Sequence, residues 1–201
     1  MKAIAHFFSA LFSPLLIPTY AIIIALTSTY MYVLPLGVKL SVSSVVFITT
    51  CLIPLAAIFL LLKLKVVSDA GLNNRAQRPI PYVITVVCYA ICAFYLYKAH
   101  APQWLTMFMV GGGMAAIVSL LVNIKWKISA HGAALGGLMA MMFRILTLGV
   151  GLPSVFPLTI AVILAAGAVG SSRVYLERHT LAQVLCGTTN GFICVYLASV
   201  V

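Results

Sequence analysis

Two histidines and three arginines stand in three short polar stretches of an otherwise apolar chain. The stretches are Asn74-Arg75-Ala76-Gln77-Arg78-Pro79, Ser129-Ala130-His131-Gly132, and Ser172-Arg173 followed by His179 and Gln183. A guanidinium is planar, stays charged at any working pH and meets phosphate oxygens two at a time. A neutral imidazole whose Nδ1–H is held by an acceptor offers Nε2 as a nucleophile or base. Cations and histidines at a membrane boundary therefore read as a site for a phosphate carried by a lipid.

Each stretch also has a plainer reading. Ser129 can cap a helix with its hydroxyl oxygen, and the same helix start can face an anion with free N–H groups. His179 and Gln183 are four apart, on one face if the last helix has begun by then; the rival is a surface ion pair between Arg173 and Glu177. Arg75 and Arg78 would also suit a connection on the positive side of a membrane. Arg144 is excluded from the site, because it lies roughly 20 Å along the helix from His131. Snorkelling or pairing within the bundle is its expected role.

The elements that must carry these residues are membrane helices. A chain of 201 residues with 64% hydrophobic and only 7% charged side chains falls outside the composition of soluble domains. Seven apolar stretches reach spanning length, at roughly 12–34, 41–62, 80–98, 103–124, 130–149, 155–171 and 180–201. The expected fold is an all-α, polytopic bundle of six to seven transmembrane helices, forming one domain over residues 1–201. Lys2 and the residues after it form a short amphipathic lead to a retained first helix rather than a cleaved signal. The five cysteines lie in apolar spans without metal-ligand spacing, so they read as small hydrophobes.

With seven spans, the polar stretches follow the second, fourth and sixth and emerge on one face. Most lysines and arginines fall on that same face, which favours a cytoplasmic site in a multi-pass protein of a bacterial cytoplasmic membrane. The net charge of +10 belongs to span ends and lipid headgroups, with no nucleic-acid partner implied.

Taken together, Arg78-Pro79, Ser129-x-His131 and Ser172-Arg173 with His179 six residues after the arginine resemble the type 2 phosphatidic acid phosphatase superfamily. The resemblance covers about residues 71–187. It implies a metal-independent lipid phosphatase with no cofactor, whose substrate is a lipid phosphate or diphosphate. On that pattern His179 is the nucleophile that becomes a phosphohistidine, and His131 is the acid for the leaving oxygen. Arg78 and Arg173 hold the phosphate oxygens with help from Ser129, and Arg75 stands in for a lysine whose place is taken by Gly71. The family's relay aspartate is replaced by Gln183, and the second signature reads Ile128-Ser129-Ala130-His131. Two rivals follow. One is a catalytically impaired relative that binds lipid phosphate or serves as a transport or assembly partner; the other is an unrelated transporter.

Overall fold

The computed structural model describes residues 2–69 and 71–200. α1 (Lys2–Leu11) and α2 (Ile17–Ser28) are short, and α3 (Leu36–Phe47) runs through a π-helical turn at Ile48–Leu52 into α4 (Ile53–Lys63). α5 (Pro79–Lys98), α6 (Gln103–Lys125), α7 (Ala130–Leu148), α8 (Val155–Tyr175) and α9 (Leu181–Val200) follow. The joined α3–α4 unit and α5 to α9 make six segments long and apolar enough to cross a membrane. The chain is thus an all-α, polytopic membrane bundle. Helices suit that medium because they satisfy their backbone hydrogen bonds internally.

The expected first span at 12–34 is not one. Pro14 and Pro18 punctuate it and Pro35 follows its end, and α2 rises only about 18 Å against a hydrocarbon core of about 30 Å. Thr29 is extended and pairs with Gly151, while Tyr30 N–H donates to Val150 O at 3.2 Å. These contacts tie the end of α2 to the connection between α7 and α8. Among the described residues, spans therefore number six rather than seven. The loss precedes all three polar stretches, which now follow the first, third and fifth spans and still emerge together.

α1 is the amphipathic lead that the sequence suggested. Ala5 and Ser9 are buried on the side packed against α8, while Ile4 and Phe7 point outward. The π-helical turn in the first span precedes Pro54, whose ring removes a backbone donor and crowds the preceding turn.

The packing of α7 on α9 sets the site. A Cβ on Gly136 would overlap the carbonyl oxygen of Thr188, and one on Gly191 would overlap that of Ala133. Each glycine has a partner four residues earlier, Gly132 and Gly187, so both helices present a groove of bare backbone. They run parallel, and their N-termini meet where Ser129 N–H donates to Gln183 O at 3.2 Å. At the other end Arg144 Nε donates to Ser199 O at 2.9 Å. Arg144 thus pairs within the bundle, with a carbonyl in the negative last turn of α9.

Candidate functional site

Arg78 enters the site from a loop braced on itself. Asp69 accepts from both the backbone and side-chain amides of Asn73, and Gln77 Oε1 accepts from the N–H and hydroxyl of Ser68. Asp69 is therefore committed to the loop. Arg78 is 7% exposed; its Nε donates to Leu72 O at 2.8 Å and its Nη1 to Ile128 O at 2.9 Å. Two fixed donors hold the fork, with the Tyr82 hydroxyl beside it. The Arg75 side chain is exposed and does not line the cavity; its carbonyl accepts from Asn123 Nδ2 at 3.0 Å.

Ser129 is completely buried, and its Oγ accepts from Gly132 N–H at 3.2 Å. It is the N-cap of α7 and lies outside the cavity lining. His131, two residues on, places Nε2 3.1 Å from the carbonyl oxygen of Ser9. A carbonyl oxygen only accepts, so this nitrogen carries a proton.

Arg173 comes from the last turn of α8, with Nη1 donating to Ser9 Oγ at 3.1 Å. Its Nε is buried without a partner. α8 then stops, Glu177 takes a left-handed φ of 55°, and Arg178 and His179 N–H both return to Arg173 O. His179 therefore precedes α9 instead of opening it.

Thr180 and Gln183 form a capping box. Gln183 N–H donates to Thr180 Oγ1, and Thr180 N–H donates to Gln183 Oε1, both at 3.3 Å. The same Oε1 lies 3.1 Å from His179 Nδ1. Because the Thr180 N–H can only donate, the shared atom is the amide oxygen and His179 Nδ1 is the protonated nitrogen. The Nε2 lone pair is left free. The two histidines thus hold opposite tautomers: His179 has a bare Nε2, His131 an Nε2–H.

Arg78, His131, Arg173 and His179 line one cavity of about 260 Å³. Burial chiefly, then Arg78, Lys127 and Arg173, lowers the pKa of His179 to about 3, against the opposing hydrogen bond to Gln183. The imidazole is consequently neutral near pH 7. Lys127 is pushed down too, first by partial burial and then by Arg78, Arg173 and Arg178. Burial also lowers Arg78, from so high a starting point that it stays charged. Cations crowd this place with little carboxylate to offset them, a field that an anion would relieve.

Ser9 is the participant that sequence reasoning missed. It touches two site residues, His131 and Arg173, from helices more than a hundred positions away, and only the small Ala5–Ser9 face of α1 hinted at close packing. The capping box was legible as Thr180-x-x-Gln183 but was not read. Among the described residues, no three His, Cys, Asp or Glu side chains gather to hold a metal ion. Compared with protein-family models, curated proteins and solved structures, the chain matches none.

Proposed function

We propose that the protein is a membrane-embedded phosphatase that hydrolyses lipid phosphates or diphosphates through a phosphohistidine, without a metal or cofactor. One observation carries the reading: two histidines of opposite tautomer share a cavity with Arg78 and Arg173. His179 Nε2 attacks phosphorus, and the bond to the lipid oxygen breaks. The phosphate's own negative charge favours the imidazolium form of His131, which gives its Nδ1 proton to that oxygen and returns to the neutral form whose Nε2–H is held by Ser9 O. Water then attacks the phosphohistidine. His131 accepts the water's proton, and inorganic phosphate leaves. Arg78 and Arg173 neutralise the equatorial oxygens, where most of the catalytic effect of phosphoryl transfer arises.

Gln183 orients His179 with no charge to stabilise the imidazolium, and its oxygen is also held by the helix cap. That second duty favours one alternative, a relative that binds lipid phosphate at this site and turns it over poorly or not at all. Cations at the site end of the spans outnumber those at the other end, where Lys39 and Lys98 lie. This asymmetry supports a site on the cytoplasmic face, in a bacterial cytoplasmic membrane.

Phosphate release from a panel of lipid phosphates and diphosphates, with EDTA present, tests the proposal on protein purified in detergent. Release that disappears in His179→Ala is expected. Equal release from wild type and His179→Ala on every substrate would leave only the binding reading.

A further inference from the structure

The cavity does not end at the charged groups. It continues toward the middle of the bundle, and its walls become apolar. Along α5 the wall is Tyr82, Thr85 and Tyr89, spaced to share one helix face. Thr85 spends its hydroxyl proton on Pro81 O at 2.8 Å, so it has no donor to offer the cavity. Opposite, small residues line the space: Ala116 on α6, Ala134 and Gly137 on α7, while Gly112 receives the ring of Tyr89 against its backbone.

The depth is set by the helices. α5 rises roughly 15 Å from Pro79 to Tyr89, and α6 roughly 25 Å between Lys125 and Phe108. Phe108 is 4% exposed and closes the floor. In the same core cluster as Phe108, Leu96, Leu105, Met109, Leu138 and Met141 are each at most 2% exposed. The passage is narrow, since even a methyl group on Gly112 would overlap the ring of Tyr89. An apolar void of 150 Å³ in another protein stays dry and takes up benzene; this cavity totals about 260 Å³ with its cationic mouth included.

We infer that this cavity is a tail-binding site for one flexible hydrocarbon chain, whose phosphate head lies among Arg78, Arg173, His131 and His179, and that Phe108 with Tyr89 limits the length of that chain. The inference rests on the phosphate site proposed above. It excludes a second chain from the cavity, so a two-chain lipid leaves one tail among the membrane lipids. Each methylene that moves from water into the cavity tightens binding about fourfold, and the gain stops at the floor.

The test uses alkyl phosphonates, which resist hydrolysis, from butyl to hexadecyl below their micelle-forming concentrations. The full chain is held in nanodiscs, its native cysteines replaced by alanine and one cysteine introduced by Ala116→Cys. Octyl phosphonate should slow maleimide labelling of that cysteine at least tenfold. Inorganic phosphate alone should not, yet it should compete with the phosphonate, and Arg173→Ala should abolish the protection. In the chain without the introduced cysteine, Phe108→Ala should raise the length at which affinity stops growing, and Ala116→Leu should lower it. Competition by phosphate without protection of Ala116→Cys would overturn the tail site while leaving the head site standing. A length limit unchanged in both variants would overturn the role of Phe108. Absence of competition would remove the phosphate site itself, and the tail site with it.

Discussion

The two ends of this bundle are built on opposite principles. At the far end Ile22, Leu96, Leu105, Met109, Met142, Ile145 and other large side chains lie at most 2% exposed and fill the space between helices. At the site end the same helices carry Gly112, Ala116, Ala134 and Gly137 around a cavity, with a buried arginine and a buried histidine at its mouth. The change falls at a similar depth on neighbouring helices: from Gly112 to Phe108 and Met109 on α6, and from Gly137 to Leu138 and Met141 on α7. One half supplies the cohesion that lets the other stay open. A void and unpaired cations are costly to stability, and the packed half offsets them.

If the division is real, chemistry and stability should fail separately. His179→Ala should lower phosphate release on the order of 10⁴-fold or more, while the melting temperature stays close to wild type. A large fall in melting temperature would show that the site end also holds the fold together. In the packed half, Ile145→Ala should cost about 2–5 kcal/mol of stability. Its turnover per folded molecule should match wild type, and lost turnover in folded protein would blur the two halves.

Arg173→Ala tests the mouth of the cavity. It should reduce the rate by about 10²–10³-fold, with Arg173→Lys recovering part of the loss because the charge returns without the planar fork. Full activity in Arg173→Ala would take this residue out of the phosphate site.

The subtlest change sharpens the comparison within the site. His179 is neutral above its pKa of about 3, so wild-type turnover should persist at acidities where an ordinary histidine is already protonated. Gln183→Glu places a carboxylate beside Nδ1 and keeps the reach of the capping box. A nearby negative charge favours imidazolium and raises the pKa. The acidic limb of the pH–rate profile should then move to higher pH, and the plateau rate should rise. An unmoved limb would separate His179 from the observed titration.

How much was legible depended on whether the signal was local. The π-helical turn before Pro54 and the cap at Ser129 follow from residues within one helical turn. So does the pairing of His179 with Gln183, although His179 lies before the helix and not in it. The expected span at 12–34 failed because apolar length alone ignores Pro14 and Pro18. Arg75 and Arg78 looked equivalent in sequence, yet only Arg78 is drawn inward, by carbonyls at Leu72 and Ile128 that no local pattern announces.

By itself the sequence determined the medium, the helical class and the gathering of three polar stretches at one face, because hydropathy and span parity are properties of the chain in order. Tertiary structure alone decided which cations face the cavity, which nitrogen of each histidine bears the proton, and how deep the apolar floor lies. Those depend on contacts such as Ser9 with His131, or Gly191 with Ala133. Such contacts join residues far apart in the chain, and their energy exists only once the helices have packed.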